Sequence, residues 1–357
     1  MRERPNAQKG LLPLAVGVTG HRDLGVEETA NVTRQVRRLF ETLHDAYPHT
    51  PFILLSSLAE GADRLVARTA LECGVELYVV LPMERELYER DFRSAQSLEE
   101  FRDLMRQSSD CGVVTAADGD TGAAGVPGPA RDQRYAMAGA FMVSYSQILI
   151  ALWDGSPDEM LGGTSQIVRF ALQGVPPKYL AGSKEPLRTN ETGAVYHVRV
   201  SRSSSAADVS GGDAIWLYPG TDSTDPDAVK VAGSAFQENL RDLERFNRDA
   251  CAPAVVNAAR ASAESLLPAN DATALNANGV ILEYTRTLFG LADVLALRCR
   301  NWTHVAMTSI FCAIGLAAVV FSLYTNLFQA YGLLYVAFLA LVTVAFAVNL
   351  SVSQKQM

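Results

Sequence analysis

Positive charge is in short supply. Lys and Arg number 31 against 39 Asp and Glu, for a net charge of −8. A phosphate-tracking surface needs the opposite balance, so no nucleic-acid partner is expected. Cysteine is sparse too. Cys73, Cys111, Cys251, Cys299 and Cys312 are scattered, odd in number and without a C-x-x-C pair. That pattern fits neither a disulfide framework nor a zinc site, and reads as reduced thiols in a cytosolic domain. The N-terminal MRERPNAQKG is polar, and the apolar run behind it is too short and interrupted for a secretory signal. The longest absence is at the other end. Between Asn301 and Gln354 there is no Asp, Glu, Lys or Arg.

Two apolar stretches fill that gap, 305–324 and 330–350. At about 1.5 Å per residue, about 20 helical residues match a hydrocarbon core of about 30 Å. The short uncharged link Thr325-Asn326-Leu327-Phe328-Gln329 makes the pair an antiparallel hairpin. Trp302, Tyr324 and Tyr331 stand where aromatic side chains favour the membrane interface. Arg298 and Arg300 precede the first helix and Lys355 follows the second. By the positive-inside rule both termini are then cytoplasmic, in a multi-pass protein of the inner membrane. The competing reading is a buried helical hairpin of a soluble protein. Ser309, Ala313 and Ala317 recur every four residues, as small residues do where helices pack closely. They serve packing within the hairpin or between subunits. Two helices cannot line a pore alone, so a channel would need a homo-oligomer.

Ahead of the hairpin, short apolar runs alternate with helical periods. Leu14 to Thr19, Phe52 to Ser56, Glu76 to Leu81, Cys111 to Thr115 and Gln147 to Trp153 read as parallel strands buried on both faces. Val32, Val36, Leu39, Phe40, Leu43 and Tyr47 keep the helical period, and Leu65, Val66, Ala70 and Leu71 follow it less strictly. The expected class is α/β, a Rossmann-like open parallel sheet, with a helical connector and the membrane hairpin behind it. The expected division is a tail at 1–13, an α/β domain at 14–226, a connector at 227–300 and the hairpin at 301–357.

In such sheets ligands bind beyond the carboxyl ends of the strands. After the first run comes Gly20-His21-Arg22, where Arg22 pairs with a phosphate or is a solvated side chain in a tight turn. After the second comes Ser56-Ser57, then Gly61-Ala62-Asp63. This is an anion site at a helix start, or ordinary capping by Ser57 or Asp63. After the third, Pro82 leads into Glu84 to Phe92, a lid or flanking helix. After the fifth come Asp154-Gly155 and then Gly162-Gly163-Thr164 opening a helix, suited to phosphate or ribose.

Three elements in order resemble the SLOG superfamily: Val18-Thr19-Gly20-His21-Arg22, Ser57-Leu58-Ala59-Glu60-Gly61-Ala62-Asp63-Arg64 and Leu161-Gly162-Gly163-Thr164. That group includes DprA-like DNA-processing proteins, LOG nucleotide hydrolases and nucleotide-sensing domains of bacterial conflict systems. The resemblance covers about half the chain, Leu14 to Pro176. It implies a nucleotide or nucleotide-derived ligand at these loops, with no cofactor assigned. LOG enzymes carry Pro-Gly-Gly-x-Gly-Thr-x-x-Glu, and here Ile167 stands where that Glu would be. An aliphatic side chain does no acid–base work, which favours sensing over hydrolysis unless Asp154 or Asp63 acts instead.

Val195 to Val200 and Ala214 to Tyr218 are two further strand-like runs, and Ser203-Ser204-Ser205 and Gly211-Gly212 suggest surface loops. Phe236, Leu240, Leu243 and Phe246 mark one helical face. Ile281, Tyr284, Leu288, Leu291, Leu295 and Ala296 mark another. These helices transmit a signal or form a rigid stalk. Ala292-Asp293-Val294-Leu295-Ala296 ahead of a membrane hairpin resembles the SLATT module, a two-helix membrane effector fused to SLOG domains. SLATT modules continue into a cytosolic helical segment, whereas Met357 comes only a few residues after the second apolar stretch, which argues against a pore and leaves open whether the chain is shortened. The combined expectation is a membrane-anchored sensor-effector of bacterial, including antiviral, defence or signalling. A membrane-tethered nucleotide or NAD glycosidase and a tethered interaction module are the rivals.

Overall fold

The computed structural model describes residues 10–92, 94–114, 126–157, 160–180, 192–201, 213–266, 279–327 and 331–356. Thr115, Ser203-Ser204-Ser205, Gly211-Gly212 and Phe328 to Ala330 lie outside the described residues. The chain divides into two compact units, Met1–Arg248 and Asp249–Met357.

Among the described residues, the first unit is built on a sheet of seven strands. They are β1 (Leu14–Gly20), β2 (Phe52–Ser56), β3 (Glu76–Leu81), β4 (Asp110–Val113), β5 (Ile148–Trp153), β6 (Ala194–Arg199) and β7 (Ile215–Leu217). Their spatial order is β4-β3-β2-β1-β5-β6-β7. The pairs from β4 to β6 are parallel, and only β7 runs antiparallel, against β6. All seven apolar runs read from the sequence form strands, but β4 is exposed at the edge of the sheet rather than buried on both faces, because only β3 pairs with it. The central ones are continuous apolar runs because they are covered on both faces. In β1, for example, Val16 and Val18 are fully buried.

Helices occupy the crossovers: α1 (Val26–Ala46), α2 (Ala62–Glu72), the single turn α3 (Arg85–Tyr88), α4 (Ala95–Gln107), α5 (Pro129–Tyr145) and α6 (Thr164–Gln173). Val32, Val36, Leu39, Phe40, Leu43 and Tyr47 of α1 join Leu65, Val66 and Ala70 of α2 and Phe101 of α4 in one core. Ala136, Met137, Ala140 and Val143 of α5 pack with Ile167, Val168, Phe170 and Ala171 of α6 in a second. The two cores take alternate residues of β5: Ile148, Ile150 and Leu152 in the first, Leu149 and Ala151 in the second. That alternation puts them on opposite faces of the sheet, a doubly wound arrangement.

The long helix α7 (Pro226–Ala250) follows β7. Its Leu240 is in the first core, with Phe236 and Leu243 packed against it. Asn247 is fully buried, accepts from the Leu12 amide and donates to the Leu12 carbonyl and the Thr50 hydroxyl. The helical pattern that begins near residue 227 therefore starts with a helix bound to the sheet. In the first half of the sequence-read connector, the apolar face is core rather than stalk.

The second unit contains α8 (Pro253–Leu266), α9 (Gly279–Asn326) and α10 (Gly332–Gln356). Helix α9 has 48 residues and no break at Arg298 to Trp302, so it is about 72 Å long. Its first half packs on α8. A Cβ at Gly290 would collide with the Ala259 carbonyl oxygen, Arg286 Nε donates to the Ala263 carbonyl at 3.0 Å, and Ser262 Oγ donates to Asp293 at 2.6 Å. Its second half pairs with α10. Phe321 meets Phe338 at 5.0 Å and Tyr324 meets Tyr335 at 5.7 Å, the descending register of an antiparallel hairpin. Ala306 and Ala317 of α9 and Ala345 of α10 are buried, Ala313 is half-buried and Ser309 is exposed. The four-residue stripe thus splits, with its C-terminal end inside the hairpin and Ser309 outside.

Both α9 and α10 are long and apolar enough to cross a membrane. Phe311, Leu333, Val336 and Phe346 are among many large apolar side chains they expose.

Candidate functional site

In the sheet order, β2, β3 and β4 step away from β1 on one side and β5, β6 and β7 on the other. The switch point lies between β1 and β5. Chains leaving the carboxyl ends of these strands diverge to opposite faces, and it is there that sheets of this kind form a ligand crevice.

Two glycines make the β1–α2 approach possible. A Cβ on Gly20 would strike the Ala62 Cβ and lie 2.7 Å from the Leu152 carbonyl oxygen. Gly61 has φ +78°, and a Cβ there would run into the Arg22 carbonyl oxygen. Backbone bonds then lock three segments together. The His21 amide donates to the Leu152 carbonyl and the Ala62 amide donates to the His21 carbonyl, both at 3.0 Å.

His21 is buried, and its Nε2 accepts from the Asp154 amide at 3.2 Å, with the Asp154 carboxylate at 3.5 Å. Asp154 Oδ1 also accepts from the Ser156 amide at 2.9 Å, fixing the turn at Gly155. The loops after β1 and β5 are thus joined by a His–Asp pair across the switch point.

The loop after β2 folds in on itself. Ser56 is fully buried, and its Oγ accepts from the Leu58 amide at 3.0 Å. Leu58 is buried with φ 55°, a conformation that costs a branched side chain energy. The buried Asp63 carboxylate accepts from the loop amides of Ala59 and Ser57, and Ser56 Oγ lies 3.5 Å away. Burial raises the Asp63 pKa to about 7, against the opposing pull of those hydrogen bonds and of Arg22. Asp63 therefore braces the loop from below. The residue preceding α2 is Gly61, without a side-chain cap. Ser57 is buried, its Oγ 4.0 Å from the Met142 sulfur. Beneath these, the buried Arg64 holds the Leu58 carbonyl, Ser97 and Glu100, with Phe92 against its guanidinium at 4.5 Å.

The segment after Pro82 is clamped. Glu89 pairs with Arg85 and Arg102, whose hydrogen bonds lower its pKa to about 2. Asp91 accepts from Arg131 at 2.6 Å and from the Tyr135 hydroxyl. Tyr88 is buried on Phe92 and Phe101. Of the two sequence readings, flanking helix describes this stretch better than free lid.

Arg22 is exposed, and its guanidinium lies 5.2 Å from the Tyr135 ring centroid. The Gly162 turn reaches the same tyrosine, since a Cβ at Gly162 would sit 2.8 Å from the Tyr135 Cβ. The Gly162 amide donates to Gln166 Oε1 at 2.7 Å and the Gly163 amide to the Met160 carbonyl at 3.0 Å. Gly163 precedes α6 without a side-chain cap, with Thr164 as the first helical residue. Gly20, His21, Arg22, Gly61, Ala62, Asp63 and Asp154 thus converge at the switch point, while Gly162 packs on the backbone of α5 at Tyr135. Ser56 and Ser57 turn inward. Pro82 is buried at the end of β3. Ile167 is buried between α5 and α6, against Gly139.

Tyr88, Asp91, Arg131 and Tyr135 were not singled out by the sequence reading. Helix α5 carries two of them, and its Ala- and Met-rich stretch shows little helical periodicity. The signal available was Pro129 behind Gly128, a helix-start pair.

No family model matches the chain, and no curated protein does. Among solved structures the chain is similar to DNA processing protein A (DprA) from Streptococcus pneumoniae, at 16% identity and a TM-score of 0.28. The match covers 43% of this chain and 45% of that one, so this chain spans less than half the length of that protein.

Proposed function

We propose that this chain is a membrane-bound sensor-effector of a bacterial defence or signalling system. A nucleotide-derived ligand binds the crevice between β1 and β5, and binding biases an oligomer of the α9–α10 hairpins between two arrangements. The hairpin lies in the inner membrane with both termini cytoplasmic. One observation carries the ligand reading: an exposed arginine, Arg22, stands at the switch point among glycine-bearing loops. The resemblance of those loops to SLOG domains supports a nucleotide rather than another anion. Two helices long enough to span, with exposed apolar side chains, support the membrane reading.

The full chain in detergent micelles, incubated with a nucleotide panel, tests this. The expected result is a melting temperature raised by several degrees with no free base released, since a ligand at about 100 times its Kd contributes about 2.7 kcal/mol. Free base released at catalytic rates would favour the glycosidase, whose support is the partly exposed Asp154 carboxylate beside His21. No shift with any nucleotide would leave a tethered interaction module. For topology, a reporter fused after Met357 should read as cytoplasmic, and an external reading overturns the arrangement.

A further inference from the structure

Tyr88 is 1% exposed, and its hydroxyl has no hydrogen-bond partner among the described residues. An unpaired buried hydroxyl destabilises a fold, so phenylalanine would serve packing better at this position. The ring is firmly held, 5.2 Å from Phe92 and 5.7 Å from Phe101, both edge-on. The hydroxyl lies within electrostatic reach of Tyr135, Asp63, Arg22 and Asp91. These groups come from four separate segments, and each already has a partner. Tyr135 donates to Asp91, Asp91 also holds Arg131, Asp63 holds loop amides, and Arg22 lies over Tyr135. Of the buried groups in this cluster, the Tyr88 hydroxyl is the one left unpaired among the described residues.

Resting on the nucleotide-ligand reading, we infer that Tyr88 is the inner hydrogen-bond donor of the crevice and that Arg22, lying on Tyr135, is its movable cover. The ligand portion recognised is a phosphorylated ribose. Its phosphate draws Arg22 off the ring, and a sugar oxygen deeper in accepts from Tyr88. The inner group is a neutral oxygen rather than a second phosphate, because the Asp63 and Asp91 carboxyl groups flank it.

The test titrates the full chain in detergent micelles with inorganic phosphate and with ribose 5-phosphate. Wild type should bind ribose 5-phosphate more tightly. Tyr88→Phe should weaken ribose 5-phosphate about fivefold and leave phosphate affinity unchanged, the weight of one neutral hydrogen bond. Its melting temperature should equal or exceed that of wild type. Arg22→Ala should weaken both ligands. A Tyr88→Phe variant with unchanged ribose 5-phosphate affinity, equal losses for both ligands, or a lowered melting temperature overturns the inference. If wild type binds neither ligand, the inference falls. A nucleotide that still binds in that case leaves the sensor reading standing, and a blank nucleotide panel removes it as well.

Discussion

The two units treat apolar surface in opposite ways. In the sheet unit Ile148, Ile150 and Leu152 are fully buried, and charged groups near the crevice hold one another. In the helical unit the large side chains of α9 and α10 face outward, with Leu333 80% exposed, and small residues face inward. A water-soluble fold hides large apolar groups. A fold for lipid exposes them and brings its helices together through alanine. One chain therefore carries two opposite patterns of burial.

The contrast breaks most sharply at Ile150. Ile150→Asp buries an unpaired charge in the central sheet and should abolish the folded unit, read as loss of the cooperative melt. Leu339→Asp, on the exposed face of α10, should leave that melt intact. It should instead reduce membrane insertion by about 3 kcal/mol, read by fractionation.

The next effect is one of pH. The folded pKa of Asp63 is about 7, above its ordinary value, so the folded state holds a proton that the unfolded chain gives up. The Asp63 contribution to stability is then fully present below about pH 4 and is lost as pH rises to about 7, by at most about 4 kcal/mol. Asp63→Asn should flatten that slope in chemical denaturation. A slope retained in the variant would place the titrating group elsewhere. The helical unit gives a smaller response: Gly290→Ala should cost about 1–3 kcal/mol by forcing α8 away from α9. Ser309→Leu, facing outward, should be close to neutral for the hairpin, whereas Ala317→Leu should loosen it, read by cross-linking between α9 and α10.

The sheet was legible because parallel strands buried on both faces are continuous apolar runs bounded by turn residues. Helix α5 was hidden for the same physical reason. Arg131, Ala136, Met137, Ala138, Gly139 and Ala140 are buried almost all the way round it, so no polar stripe marks the period. In the site, Gly20, Arg22 and Gly61 announced themselves by conformational need and charge. Asp63 was visible as a residue but not in its role, because its partners, the Ser57 and Ala59 amides, belong to backbone. Tyr88 and Tyr135 are 47 positions apart in the chain, and no local pattern links them. The continuity of α9 was also invisible. Arg298, Arg300 and Trp302 mark a change of composition, and a change of composition does not break a helix.

That continuity has a mechanical meaning. A helix without a break has no joint, so α9 is a shaft rather than a chain of links. Turning its charged half about the long axis turns its apolar half by the same angle, and carries Ser309 and Ala317 around with it. Tilting it sweeps the far end through an arc set by its whole length.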